Sequence, residues 1–232
     1  MEIKQGAWPL QFFGRRKGKK LHSLRQDAHD TVLPKITLKL PEGAAPFAPA
    51  ACFDFKPQDI WLEIGFGNGE NLAQQALLNP KVGMIGCEPF INGVAALCVS
   101  IKQNDIKNIR VWPDDARLLL SRLPDASIGR LFLLNADPWP KKRHHKRRFI
   151  QTEMLNEFHR LLKPGAELVM STDDPGLAAW ELEKTYFHKG FEWTAENCHG
   201  WQNRPAGMEG TRYQKKGAAQ GRPTIFLNFR KI

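Results

Sequence analysis

Glu63-Ile64-Gly65-Phe66-Gly67-Asn68-Gly69-Glu70 sets three alternating glycines between two carboxylates, directly after the short apolar run Ile60 to Ile64. A chain that turns from strand to helix through such a loop lets a ligand approach the backbone without meeting a β carbon. Glu88 ends the next apolar run, Asp115 follows the third, and Asp137 follows Leu131 to Leu134. Acids that recur at strand ends line the crevice of an open parallel sheet, and carboxylates there suit a ligand bearing cationic or hydroxyl donors. Directly after Asp137 comes Pro138-Trp139-Pro140 and then Lys141-Lys142-Arg143-His144-His145-Lys146-Arg147-Arg148, six cations with no acid among them. Such a run suits a polyanion.

The glycine spacing separates two ligand classes. A dinucleotide fingerprint, G-x-G-x-x-G, wants glycine in its last place, where the helix packs beneath a pyrophosphate, and that place is held by Glu70. Glu-x-Gly-x-Gly-x-Gly resembles instead the first motif of the class I S-adenosylmethionine-dependent methyltransferases, whose cofactor carries an ammonium and a sulfonium but no phosphate. That resemblance implies a backbone cradle at Gly65, Gly67 and Gly69, with Glu63 toward the methionine end. It also implies that Glu88, 25 residues on, accepts from the ribose hydroxyls, and that Asp115 reaches the adenine edge. The plainer alternative for each acid is a helix N-terminal charge or cap. It suits Asp115, ahead of Ala116 to Leu120, better than Glu63 inside an apolar strand.

Asp137 to Arg148 resembles the signature of the bacterial tRNA (guanine-N7-)-methyltransferase family. The similarity runs from the Glu63 loop through Ser171-Thr172-Asp173-Asp174 to Gly210-Thr211-Arg212-Tyr213-Gln214, which is most of the chain. It implies transfer of a methyl group from S-adenosylmethionine to N7 of a guanine in the variable loop of tRNA. By the same resemblance Asp137 is the catalytic residue and also a cofactor contact, and Lys141, Asp173, Thr211, Arg212, Tyr213 and Gln214 bind the substrate. Arg143, His144, His145, Lys146, Arg147 and Arg148 then contact RNA. Two positions depart from the family pattern, Ala136 where proline is usual and Gln214 where glutamate is usual. The second removes a charge, so Gln214 meets guanine donors with its carbonyl oxygen alone. A carboxylate at Asp137 can accept from guanine N1 and N2, a donor pair that adenine lacks. Trp139 either stacks on the base or packs within its loop.

These residues need a frame that brings strand ends together. Short apolar runs alternate with longer amphipathic segments from Ile60 onward, the pattern of a Rossmann-like α/β fold with a doubly wound, mainly parallel sheet of seven strands. Strands are expected at Ile60 to Ile64, Val82 to Cys87, Ile109 to Trp112, Arg130 to Leu134, Glu167 to Ser171, Phe191 to Thr194 and Thr224 to Phe229. Helices are expected at Glu70 to Leu78, Ile91 to Gln103, Ala116 to Arg122, His145 to Leu162 (stopped by Lys163-Pro164-Gly165) and Leu177 to Lys189. Residues 59–232 then form the methyltransferase domain, and 1–58, irregular and rich in proline and alanine, a basic and partly disordered N-terminal arm.

The charge supports this division. There are 34 Lys plus Arg against 24 Asp plus Glu, a net +10, and eleven of the cations lie in Arg15 to Lys20 and Lys141 to Arg148. The remainder is close to neutral, so the basic character is local and points to nucleic acid before membrane. With 42% hydrophobic and 25% charged residues the chain is neither fibrous nor wholly disordered, and no run nears the roughly 20 apolar residues of a membrane span. Cys52, Cys87, Cys98 and Cys198 are scattered without C-x-x-C spacing, and no acid or Cys flanks His144 and His145 at ligand spacing, so neither disulfides nor an obligatory metal is expected. A cytoplasmic enzyme acting on tRNA as a monomer or homodimer is the expectation. An NAD-dependent dehydrogenase would share the sheet and glycine loop but has no use for the cationic run. A non-catalytic RNA-binding protein has no use for the strand-end acids.

Overall fold

Leu131-Phe132-Leu133-Leu134 is buried throughout, with Leu131 and Leu133 in one apolar layer and Phe132 and Leu134 in another. A strand apolar on both faces belongs inside a sheet covered on both sides. The computed structural model describes residues 12–41, 47–197 and 199–232. Its strands are β1 (Asp59–Ile64), β2 (Val82–Cys87), β3 (Ile109–Trp112), β4 (Ile128–Leu134), β5 (Leu162–Thr172), β6 (Phe191–Trp193) and β7 (Ile225–Lys231). They form one seven-stranded sheet in the order β3-β2-β1-β4-β5-β7-β6. β7 runs antiparallel to β5 and β6, and the remaining pairs are parallel. Strand order reverses at β1, which lies between β2 and β4, so the crevice opens beyond the C-terminal ends of β1 and β4.

Helices α1 (Ser23–Ile36), α2 (Glu70–Leu78) and α3 (Ile91–Asn104) cover one face, where Leu72, Leu97 and Cys98 pack with Met84, Ile109 and Val111. α4 (Ala116–Leu120) and α5 (Thr152–Leu161) cover the other, with Leu119, Phe158 and Leu161 against Leu62, Leu131 and Leu168. α6 (Pro175–Tyr186) and α7 (Arg212–Ala219) complete the set. Among the described residues no helix is long and apolar enough to cross a membrane.

Four expectations are corrected. The helix expected over His145 to Leu162 is a 3-10 turn, Lys142–Arg147, followed after a break by α5. A helix beginning at His145 would hold its cations against the positive end of its own dipole. Instead the Gln151 amide donates to the carbonyls of His145 (3.0 Å) and Arg148 (3.1 Å) and closes the turn. Lys163-Pro164-Gly165 does not stop a helix but lies within β5. The register there jumps from Ile128↔Leu162 to Arg130↔Glu167, so these residues bulge from the ladder and Pro164 owes it no N–H. α6 starts two residues early because Asp174 Oδ1 accepts from the Leu177 N–H (2.7 Å), capping it. Within the segment expected as an irregular arm, α1 packs on α3, and the Leu38 N–H donates to Val111 (2.9 Å) at the sheet edge. Only Ala28 and Ile36 of α1 are fully buried, too few to give the sequence a helical stripe.

Candidate active site

Gly65, Gly67 and Gly69 have φ of 69°, 56° and 76°, a left-handed backbone that β carbons resist. The space above the α carbons of Gly65 and Gly67 is open to 4 Å, so the loop forms a floor onto which a ligand can settle. The loop is tied to the next strand: the Gly65 N–H donates to the Cys87 carbonyl (2.8 Å) and the Gly67 N–H to Glu88 Oε2 (2.8 Å). Glu88 Oε1 accepts from the Phe90 N–H (2.9 Å), so this carboxylate also fixes the start of α3. Burial raises its pKa, its two backbone bonds pull it back, and the Asp137 charge pushes it up again. The two acids follow the C-terminal ends of β2 and β4, the strands on either side of β1, near enough for Glu88 to respond to the Asp137 charge.

Glu63 is buried, and its Oε2 accepts from Asn71 Nδ2 (2.8 Å). Burial pushes its carboxyl up to about 8, with the Asn71 bond opposing and the Glu88 charge adding. Asn71 Oδ1, equally buried, has no partner. A raised carboxyl and an empty acceptor beside a glycine floor fit a ligand that brings positive donors.

Asp115 does the plainer job. It caps α4, accepting from the Arg117 N–H (3.0 Å) and from that guanidinium (2.5 Å), so only spare lone pairs remain for a ligand.

Asp137 is exposed in a loop whose flanks are strained: Asn135 has φ 53° and Trp139 has φ 44°. The Asn135 N–H donates to Ser171 on the neighbouring strand (2.6 Å). Trp139 meets His144 edge-on, and the Arg147 guanidinium lies over the rings of both Trp139 (4.9 Å) and Phe13 (4.4 Å). Of the cationic run, Lys141, Lys142, Arg143 and Lys146 are exposed, whereas Arg148 is buried. Arg148, expected to meet RNA, turns its guanidinium inward and donates to the carbonyls of Pro138 (2.9 Å) and Gly176 (3.1 Å). Partial desolvation and the surrounding cations lower the His144 pKa from its ordinary value.

Asp173, at the end of β5, accepts from Arg222 Nε (2.8 Å) and from the Tyr213 hydroxyl (3.2 Å). Thr211 and Gln214 form a reciprocal capping box at the start of α7. Gln214, expected to offer its carbonyl to guanine, here uses Oε1 to accept from the Thr211 N–H (3.2 Å) and Arg204 (3.1 Å), and the buried Nε2 is the atom without a partner. Arg212 is exposed and donates its N–H to Glu70 (2.5 Å), which ties this segment to α2 beside the glycine loop.

The basic stretch of the arm, with the residues just ahead of it, is held at this site. Residues 12–20 lie across the mouth as a strap. The Arg16 carbonyl accepts from the Ile91 N–H (3.0 Å), Arg16 pairs with Asp114 (2.6 Å), and Asn92 is bonded to both Gly18 (2.9 Å) and Lys19 (2.7 Å). At its other end Phe13 meets Trp139 edge-on, with centroids 6.2 Å apart. The aromatic pair Phe12-Phe13 ahead of the cations was the available signal.

Known proteins resemble this chain. A family model described as "Putative methyltransferase" matches residues 57–227. A tRNA (guanine-N(7)-)-methyltransferase of Rhodospirillum rubrum is 45% identical, covering 95% of this chain and 88% of the relative. One from Agrobacterium fabrum is 43% identical, covering 94% of each. Among solved structures, the 16S rRNA methyltransferase KamB shares the fold, with TM-score 0.53 and 17% identity over 75% of this chain and 88% of that one.

Proposed function

The chain belongs to the tRNA (guanine-N(7)-)-methyltransferase family, and we propose that it transfers the methyl group of S-adenosylmethionine to N7 of a guanine in the variable loop of tRNA. One observation supports the assignment to this site: the glycine floor with Glu63 and Glu88, and the loop of Asp137 with its cationic run, follow the C-terminal ends of β1, β2 and β4, which lie side by side and run parallel. A donor and an RNA base can meet there.

Gly65, Gly67 and Gly69 would hold the cofactor, Glu63 and Asn71 would accept from its ammonium, and Glu88 would use its remaining lone pairs for the ribose hydroxyls. Asp115 would reach the adenine edge in the same way. When bound, the group supplies a methyl carbon made electrophilic by sulfonium.

Guanine N7 brings its own lone pair, and no proton need leave it as the new N–C bond forms and the C–S electron pair returns to sulfur. Alignment is therefore the protein's main task, worth up to roughly 7 to 11 kcal/mol in well-oriented reactions. Asp137 accepts from guanine N1 and N2, which selects the base and steadies it as N7 becomes cationic. Asp173 and the Thr211 to Gln214 segment border the base from β5 and α7, with Gln214 Nε2 a donor for a base acceptor. Lys141, Arg143, His144, His145, Lys146 and Arg147 set the register of the RNA through its phosphates.

The test is to incubate unmodified tRNA with methyl-labelled S-adenosylmethionine, digest it and identify the labelled nucleoside. 7-Methylguanosine is expected. Label on another atom, or none, rejects the proposal.

A further inference from the structure

Arg148 closes a run of cations but does not share their exposure. Nε donates to the Pro138 carbonyl (2.9 Å) and a terminal nitrogen donates to the Gly176 carbonyl (3.1 Å). The guanidinium carbon lies 5.3 Å from the ring centre of Trp180, whose own N–H is fixed on the Ile150 carbonyl (2.7 Å). The fork therefore joins the Asp137 loop to the first turn of α6 over a rigid aromatic platform. Asp137 stands immediately before Pro138, and Asp173 leads through Asp174 into α6.

The bond to Pro138 has a particular consequence. Its carbonyl belongs to the peptide unit that enters Trp139, and Trp139 stands at φ 44°, which a bulky residue rarely adopts. Fixing the plane of that peptide fixes the side of the loop on which Trp139 and Asp137 emerge. Without the clasp, the strained loop is free to relax to an ordinary backbone and carry the Asp137 carboxylate with it.

We propose that Arg148 is a positioning residue: by clasping Pro138 and Gly176 it sets the Asp137 carboxylate against Asp173 in the geometry that methyl transfer needs, and it makes no phosphate contact. This rests on the methyl-transfer function proposed above. A loop displaced by 1 Å can lower turnover by roughly 100-fold while leaving the cofactor floor intact.

The experiment compares wild type with Arg148→Lys and Arg148→Gln on unmodified tRNA. It measures kcat at saturating tRNA, S-adenosylmethionine Kd, and the dependence of tRNA affinity on salt. Wild type must first form 7-methylguanosine; if it does not, the function proposed above fails and not the clasp. Expected for both variants is a kcat at least about tenfold lower, with cofactor Kd and salt slope unchanged, and Arg148→Lys retaining more turnover than Arg148→Gln because an ammonium can still reach one carbonyl. A phosphate contact would instead lower the slope by roughly one while sparing kcat, and that result overturns the proposal, as does unchanged kcat. If neither variant folds, Trp180→Phe decides. It keeps an aromatic ring but frees it from Ile150, so a severalfold loss of kcat with unchanged cofactor Kd supports the clasp, and wild-type kcat overturns it.

Discussion

The α carbon of Gly93, in the first turn of α3, faces the carbonyl of Gly67 so closely that a β carbon there would lie 2.2 Å from the oxygen. The helix start and the glycine floor are thus one packed unit, and Glu88 ties them from the strand side. Alanine for glycine in a helix is ordinarily worth up to about 1 kcal/mol of added stability. Here the sign reverses, because overpacking typically costs about 1 to 3 kcal/mol and the carbonyl cannot yield without moving the floor. Gly93→Ala is expected to lower the melting temperature and weaken S-adenosylmethionine binding by about tenfold or more, read by thermal unfolding and calorimetry. A stabilised variant with normal affinity would refute this coupling.

Glu63 gives the cofactor site a pH dependence. Its carboxyl titrates at about 8, so the free protein holds it largely protonated at neutral pH, whereas a cationic ligand end prefers the carboxylate. Binding therefore releases a proton, and affinity rises as pH climbs toward 8, by at most about tenfold per unit. The cofactor's own amine titrates nearby, so the comparison is with Glu63→Gln, which has no carboxyl to ionise. The wild-type rise in affinity, absent in the variant, is the expected difference. Parallel curves would show that Glu63 stays in one protonation state.

The strap joins the two halves of the mouth, from Asn92 and Asp114 to Trp139, and carries the five cations of Arg15 to Lys20. Removing residues 1–20 cuts the chain ahead of α1, which begins at Ser23. It should weaken tRNA binding and reduce the slope of log affinity against log salt by at least about one. It should also lower kcat, since Trp139 and Arg147 lose the ring of Phe13. Filter binding across a salt series checks the first part, and unchanged affinity and slope would leave the strap only a covering role.

What the sequence disclosed and what it hid follow from the range of the forces involved. β2, β3 and α2 carry the boundaries expected for them because apolar runs, turn residues and glycines act locally. The strand-end acids were legible because a parallel sheet sends successive strand ends to one edge. The burial of Arg148 was not legible because a cation in a run of cations has no local mark of it; its partners lie 10 and 28 positions away. α1, and the path of the basic arm ahead of it, were hidden for the same reason, being held by α3 and β3 and not by their own pattern. Gln214 was different: Thr-x-x-Gln is itself a capping-box signature, and it announced where the amide oxygen would go.

Asp137 is the most direct test of the chemistry. Its carboxylate is exposed at the end of a strained loop, and its charge reaches both Glu88 and Tyr213, so it stands between the cofactor floor and the α7 segment. Asp137→Asn keeps the shape but replaces one acceptor oxygen by a donor, which then opposes the N1 and N2 hydrogens of guanine. Turnover is expected to fall by roughly 100-fold or more, as when one preorganised contact to the reacting group is lost. Cofactor affinity should change far less, since the glycine floor, Glu63 and Glu88 are intact. Single-turnover methylation with saturating tRNA, set beside calorimetric cofactor binding, separates the two. Near-normal turnover would remove Asp137 from the chemistry and leave base selection to Asp173 and the α7 segment.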